Sequence, residues 1–195
     1  MSTYVISDIH GCYNEFLSML EKIYFSESDN LVLAGDYIDR GKQSYEMLKW
    51  MEQCPPNVLL LRGNHEEEFV SNVDLMQSVD RIDELNTDFS SHMDTAVLYE
   101  SVKYLLRQKK LHAVYFDLYG TIGMLLGQNH VTLYDLCRWA ETIRQMPYHW
   151  EAEIAGRNYI AVHAGYADSL QNTGGRFDSL EQFFLYAREE SLQSG

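Results

Sequence analysis

Residues 31–41 have the sequence LVLAGDYIDRG, in which an apolar run leads directly into two aspartates and an arginine between two glycines. The run "LVLA" (31–34) is continuously apolar, which is typical of a short strand buried on both faces. Similar runs occur at "YVIS" (4–7), "VLLL" (58–61) and "YIAV" (159–162). We therefore expect four buried strands, each followed by polar residues.

Helical patterns separate the first three of these strands. The stretches "NEFLSMLEKIYF" (14–25) and "QSYEMLKWMEQC" (43–54) each place apolar residues on one face of a helix. The second stretch ends before Pro55, which disfavours a helical conformation in the residue that precedes it. Strands that alternate with helices predict parallel pairing through right-handed crossovers.

The middle of the chain has a different pattern. Residues 66–112 are helical in pattern and acidic, and a further helix is expected after Thr132, a plausible N-cap. Ser179 and Gln182 form a capping box before a last helical stretch. The 195 residues are enough for one well-buried core. We therefore predict a single domain over residues 1–195, with a helical, cap-like insertion at about 66–150.

Composition excludes several classes of partner. The net charge of −14 argues against binding to nucleic acid, and only residues 107–112 are even briefly basic. No apolar run reaches the roughly 20 residues of a membrane span, and the N-terminus lacks a signal-peptide pattern. Cys12, Cys54 and Cys137 are scattered and odd in number, which fits a reducing compartment. We expect a cytoplasmic protein without nucleic-acid or membrane partners.

Polar residues follow each apolar run. Because the carboxyl ends of parallel strands meet at one edge of a sheet, these side chains are expected to converge. Asp8, Asp36 and Asn64 follow one another at intervals of 28 residues, with Asp36 in the middle as a candidate bridge between two cations. Oxygen and imidazole donors without a thiolate suit Mn²⁺, Fe or Zn²⁺. The candidate ligands and neighbours are Asp8, His10, Asp36, Asn64, His65 and His163.

The motifs "DIHG" (8–11), "GDYIDRG" (35–41), "RGNHEE" (62–67) and "VHAG" (162–165) resemble those of the calcineurin-like metallophosphoesterase superfamily. The resemblance is greatest to the phosphoprotein phosphatase branch, which includes bacterial and phage serine/threonine phosphatases and symmetrical diadenosine tetraphosphatases. It implies an α/β sandwich in which two central mixed β-sheets are flanked by helices. The form "VHAG" favours a bacterial type of protein.

The resemblance also implies a role for each candidate residue. Two divalent cations, with Mn²⁺ favoured over Fe or Zn, would hold the bridging hydroxide that attacks phosphorus in line. His65 would be the general acid, oriented by Asp39, and Arg40 would bind the phosphate. Arg62 and Arg188 are further candidates for phosphate binding. The implied metal ligands are Asp8 and His10 for the first ion, Asp36 for both, and Asn64 and His163 for the second.

One element of the family pattern is missing. Relatives supply one more histidine from a "GHT"-like motif downstream, and no such motif occurs before Gly195. We therefore expect the chain to be truncated at its C-terminus, without the last strands and the final metal ligand. His130 and His149 are possible but weak substitutes.

Three functions follow from this pattern. The leading hypothesis is a serine/threonine phosphoprotein phosphatase, which acts on phosphoproteins or on phosphorylated small molecules. The alternative is a diadenosine polyphosphate hydrolase that uses the same metals on a phosphoanhydride. The third is a metal-binding fragment with impaired catalysis.

Overall fold

The computed structural model describes residues 1–86, 94–108, 110, 116–174 and 177–187, with only the backbone described over 81–86. Arg188, one of the predicted phosphate contacts, lies outside these residues. The chain divides into two compact units. The first consists of Met1–Glu67 and Gln145–Gly195, and the second of Glu68–Arg144.

A parallel sheet forms the centre of the first unit. Its strands are β1 (Thr3–Ile6), β2 (Asn30–Leu33) and β3 (Val58–Leu60), in the order β1-β2-β3. Both pairings are parallel, with Val5 opposite Val32 and Val32 opposite Leu59. Helices α1 (Tyr13–Lys22) and α2 (Ser44–Glu52) connect the strands, as the alternating pattern predicted. The carboxyl ends of all three strands therefore lie at the same edge.

A second sheet is an antiparallel hairpin of β4 (His149–Ile154) and β5 (Arg157–Val162). Ala155 and Gly156 form its two-residue turn, both with positive φ (51° and 75°), which matches the twist of the strands. Strand β4 is not among the strands that the sequence predicts, because its burial alternates residue by residue and it has no continuous apolar run.

Residues of the two sheets meet in a small apolar core. Its members come from β2, β3 and their ends, and from the hairpin: Val32, Ala34, Leu59, Leu61, Trp150 and Ala161. The prediction of two sheets flanked by helices is thus confirmed. Within the described residues, however, neither sheet mixes the two kinds of pairing, because parallel pairing is confined to β1–β3 and antiparallel pairing to the hairpin.

The expectation that all four strands are buried on both faces holds only for β2, since β3 is partly buried throughout and β1 and β5 have exposed residues. Strand β2 is buried, with Leu33 fully enclosed, because it has a neighbour on each side. Val5 on the edge strand β1 is 53% exposed, and Tyr159 and Ile160 on β5 are each 46% exposed.

A short helix closes the C-terminal part of the first unit. Helix α7 (Leu180–Tyr186) begins at Ser179, whose hydroxyl accepts a hydrogen bond from the Gln182 amide, as the capping box predicted. A 3₁₀ helix (Leu170–Thr173) precedes it. The apolar face of α7 contributes Phe183 and Phe184 to a second core cluster beside the hairpin.

Helices make up the described part of the second unit. Helix α3 (Asn64–Asn86) begins in the first unit and continues into the second, followed by α4 (Thr95–Arg107), α5 (Thr121–Asn129) and α6 (Leu133–Arg144). Thr132 caps α6 as expected, since its hydroxyl accepts a hydrogen bond from the Asp135 amide. Whether this unit acts as an inserted cap stays a prediction. Among the helices that the structure describes, none has the length and apolar character to span a membrane.

Candidate metal centre

The loops that follow β1 and β2 have a strained backbone where the site residues lie. A non-glycine residue with positive φ is uncommon and costs about 1–3 kcal/mol, and such residues cluster at functional sites. Five of the candidates have this conformation, with φ between 47° and 68°: Asp8, His10, Asp36, Asp39 and Arg40. The strain indicates that the surrounding structure holds these loops in place.

Two glycines let these loops approach each other backbone to backbone. A Cβ on Gly41 would lie 2.2 Å from the backbone oxygen of His10, and one on Gly63 would lie 2.4 Å from the amide nitrogen of Asp36. Neither position can hold a side chain without displacing main chain. The close packing brings the loops after β1, β2 and β3 together.

Asp36 lies at the centre of the site, buried at the end of β2. Its Oδ2 is 3.5 Å from Nε2 of His10 and 3.7 Å from Nε2 of His65. Its Oδ1 is 3.4 Å from Nε2 of His163. The structure therefore brings histidines from three strand ends around the carboxylate that follows a fourth.

The tautomer of His10 leaves a lone pair that points into the site. Its Nδ1 is 3.1 Å from the carbonyl oxygen of Ile38, and because a carbonyl only accepts, Nδ1 carries the proton. In the neutral imidazole Nε2 then carries the lone pair, and this atom is buried without a hydrogen-bond partner among the described residues. A buried polar atom without a partner needs an explanation, and a cation beside Asp36 and Asp8 supplies one.

His163 has the same arrangement. Its Nδ1 donates to the carbonyl oxygen of Ala34 at 2.8 Å, so in the neutral imidazole its Nε2 also presents a lone pair. That nitrogen faces Oδ1 of Asn64 at 3.1 Å and Oδ1 of Asp36 at 3.4 Å. A lone pair that faces two acceptor oxygens is repulsive, whereas a cation between them turns all three into ligands. The residues present therefore fit a divalent cation.

Asp8 lies at the rim of this group. Its side chain is 60% exposed, and its Oδ1 is 3.7 Å from Nε2 of His10. The Ser7 hydroxyl donates to its other oxygen at 2.6 Å, which leaves Oδ1 directed towards His10. Nitrogen and oxygen donors without a thiolate suit Mn²⁺, Fe or Zn²⁺ alike.

His65 is held in a different way. Its Nδ1 lies 2.7 Å from Oδ2 of Asp39, and its Nε2 lies 3.2 Å from Nη2 of Arg40. Burial lowers the pKa of His65, but the hydrogen bond to Asp39 and the charge of Asp36 outweigh it, so that this pKa lies above its usual value.

His10, Asp36 and His65 have donor atoms within 4.8 Å of one another, so His65 also qualifies as a metal ligand by distance. The guanidinium beside its Nε2 argues against a cation there, because like charges repel.

Arg62 contacts other protein groups. It is 6% exposed, and its Nη1 donates to Oε2 of Glu67 and to the Tyr148 hydroxyl, both at 2.8 Å. Its guanidinium also lies 4.7 Å from the centre of the Tyr148 ring. Nη1 of Arg62 is therefore engaged by Glu67 and Tyr148.

Glu66 belongs to the site but was given no role in the sequence analysis. It is fully buried, and its carboxylate accepts hydrogen bonds from the amides of Asp36 at 2.7 Å, Tyr37 at 2.8 Å and Gly63 at 3.1 Å. Burial and the charge of Asp36 raise the pKa of Glu66 to about 7. The available signal was its position in the first turn of a helix, three residues after a glycine, as in a capping box.

Comparisons with known proteins agree with this geometry. The family profile described as "Calcineurin-like phosphoesterase" matches residues 1–184. A symmetrical bis(5'-nucleosyl)-tetraphosphatase of Buchnera aphidicola subsp. Baizongia pistaciae is 39% identical over 93 residues, 47% of this chain and 34% of that protein. The enzyme of the same name from Wigglesworthia glossinidia brevipalpis is 45% identical over 67 residues, 34% of this chain and 25% of that protein. The matches thus span 34% and 25% of these two relatives.

A solved structure supports the fold. A serine/threonine phosphatase from Saccharomyces cerevisiae, with similarity to human phosphatase PP5, superposes with a TM-score of 0.51. The alignment covers 95% of this chain and 51% of that one, at 15% sequence identity. At this identity the likeness concerns the fold alone.

Proposed function

The chain belongs to the calcineurin-like phosphoesterase family, and from this membership we propose that it hydrolyses dinucleoside tetraphosphates at the centre around Asp36. The observation that carries the proposal is the set of histidines around this carboxylate. Two have a lone pair directed into the site, and the third has a carboxylate partner that suits it to proton transfer.

The metal-binding part of the proposal assigns two divalent cations to five residues. When bound, such ions lower the pKa of water and neutralise charge on a phosphoryl group. We assign Mn²⁺ first, with Fe or Zn as alternatives, because the donors are hard or borderline. The residues that would hold the ions are Asp8, His10, Asp36, Asn64 and His163.

His65 would supply the proton in this reaction. With Nδ1 held by Asp39, its Nε2 is the atom that can give a proton to the leaving oxygen as the phosphorus–oxygen bond breaks. Water supplies the oxygen that is added to phosphorus, so cleavage at the middle anhydride releases two nucleoside diphosphates. Arg40, beside Nε2, is placed to neutralise charge on the phosphate chain.

Two exposed rings, those of His149 and Tyr166, lie close to the end of β5. His149 pairs with Val162, the residue before His163, and its side chain is 43% exposed. Tyr166 is 40% exposed, and its ring lies parallel to that of Phe184 at 5.8 Å. Such rings can stack on a nucleobase, a contact that contributes about 1–3 kcal/mol per base.

The curated relatives also support this choice over the phosphoprotein hypothesis. Those relatives are named as symmetrical tetraphosphatases, whereas the protein phosphatase is similar in fold alone. The phosphoprotein phosphatase therefore remains a second candidate, to be separated by experiment.

The test is hydrolysis at increasing Mn²⁺ by the wild-type protein and His65→Ala. The substrates are bis(5'-adenosyl) tetraphosphate, a phosphoserine peptide and p-nitrophenyl phosphate. We expect metal-dependent release of nucleoside diphosphate, and a loss of turnover in the variant. Preference for the peptide would replace the proposal with a protein phosphatase. Mn²⁺ binding by folded protein without turnover of any substrate would leave a metal-binding chain with impaired catalysis.

A further inference from the structure

We propose that Glu66 is a positioning residue that fixes the positions of two metal-site residues, Asp36 and Asn64, relative to each other. The inference rests on the metal centre proposed above. Glu66 itself is not a ligand in this scheme, because its carboxylate is occupied by backbone amides. It acts through the main chain that carries the ligands.

Glu66 contacts the loop after β2. Oε2 of Glu66 accepts from the Asp36 amide at 2.7 Å, and Oε1 accepts from the Tyr37 amide at 2.8 Å. The Ile38 amide lies 3.4 Å from the same Oε1. Consecutive amides that point to one carboxylate keep the left-handed conformation of Asp36, whose φ is 59°.

Glu66 also contacts the start of α3, the helix that has Asn64 as its first residue. Oε2 of Glu66 also accepts from the Gly63 amide at 3.1 Å, which is one side of a capping box. Oδ1 of Asp36 accepts from the His65 amide at 3.2 Å and completes the cap from another part of the chain. The helix and the loop therefore fix each other, and Glu66 contacts both.

The packing leaves little room for an alternative arrangement. A Cβ on Gly63 would lie 2.4 Å from Oδ1 of Asp36 and 2.8 Å from Oε2 of Glu66. The Tyr37 hydroxyl, bonded to the carbonyl of Leu33 at 2.8 Å, ties the same loop back to its strand. Loss of Oε2 as an acceptor would therefore release the Asp36 and Gly63 amides together. Loss of Oε1 would release those of Tyr37 and Ile38.

The test compares Glu66→Gln with Asp29→Asn. Glutamine has the shape of glutamate but replaces one acceptor oxygen with an NH₂ group that would face amide donors. Asp29 is a matched control, because its carboxylate also accepts from backbone amides, those of Ser2 and Ser26, and lies outside the metal centre.

The first readout is the affinity for Mn²⁺ alone, measured by calorimetry. We expect Glu66→Gln to bind Mn²⁺ 10- to 100-fold more weakly than the wild type, the usual effect of removing a group that orients a metal ligand. Asp29→Asn should match the wild type. Wild-type Mn²⁺ affinity in a folded Glu66→Gln variant would overturn the proposal.

The second readout is amide hydrogen exchange of metal-free protein. The amides of Asp36, Tyr37 and Gly63 should exchange faster in Glu66→Gln than in the wild type, while those of Ser2 and Ser26 stay unchanged. Equal rates in both proteins would contradict the proposal. If Glu66→Gln does not fold, the wild type decides: slow exchange of these three amides without metal supports the proposal, and fast exchange overturns it.

These readouts separate the inference from the proposed function. If the protein hydrolyses none of the substrates, the proposed function is refuted. The Mn²⁺ affinity and the amide exchange rates would still test the positioning role of Glu66. Conversely, turnover with wild-type metal affinity in Glu66→Gln would refute the positioning role alone.

Discussion

The pairing of His65 with Asp39 leads to a prediction that can be worked out in detail. The hydrogen bond from Nδ1 to Oδ2 is 2.7 Å long, and both residues are buried, at 1% and 7% exposed. A hydrogen bond to a charged partner contributes about 1.5–3 kcal/mol. If the bond supports His65 as it transfers its proton, Asp39→Ala should lower kcat/KM by roughly 10- to 150-fold.

The assay is steady-state hydrolysis of bis(5'-adenosyl) tetraphosphate at saturating Mn²⁺. Asp39→Asn keeps an acceptor oxygen but removes the charge, so its loss should be smaller than that of Asp39→Ala. Mn²⁺ affinity should stay within twofold of the wild type in both variants, because Asp39 is not among the proposed ligands.

A double mutant decides whether Asp39 acts through His65. If it does, Asp39→Ala should add little to the loss already caused by His65→Ala, because residues that act as a unit are not additive. Losses that multiply would refute this reasoning and assign Asp39 a separate role.

Three further predictions concern other parts of the structure. Tyr166→Ala should raise KM for bis(5'-adenosyl) tetraphosphate roughly 5- to 150-fold and leave KM for p-nitrophenyl phosphate unchanged. Tyr166→Phe, which keeps the ring, should resemble the wild type. Equal effects on both substrates would exclude base stacking. Burial raises the pKa of Cys54 to about 11. Its alkylation at pH 8, measured by mass spectrometry, should therefore be roughly two orders of magnitude slower than that of an ordinary thiol and should accelerate about tenfold per pH unit. A rate that levels off below pH 9 would contradict this. Gly41→Ala, whose Cβ would lie 2.2 Å from the His10 oxygen, should lower the free energy of unfolding by about 1–3 kcal/mol in urea titrations. Gly127→Ala, with open space around it, should not destabilise the protein, and equal losses in the two variants would refute the steric argument.

Much of the first unit could be predicted from the sequence, because its signals are local. Apolar runs and amphipathic stretches identified β1, β2, β3 and the helices between them. The equal spacing of Asp8, Asp36 and Asn64 predicted that each follows the strand of one strand–helix unit. The structure confirms that each of them comes shortly after the end of a strand. The same local reasoning failed for β4, whose alternating pattern resembles that of a polar segment with isolated apolar residues.

By itself, then, the sequence determined the parallel strands, their order of connection and the residues that follow their carboxyl ends. These features depend on periodicity and spacing along the chain. The tertiary structure alone decided how those residues are used. The carbonyl of Ile38 assigns the proton of His10, and Glu67 occupies Arg62. Glu66 reaches the Asp36 amide 30 positions away in sequence. Such contacts depend on distances of a few ångströms between distant parts of the chain, and packing sets these distances when the loops come together.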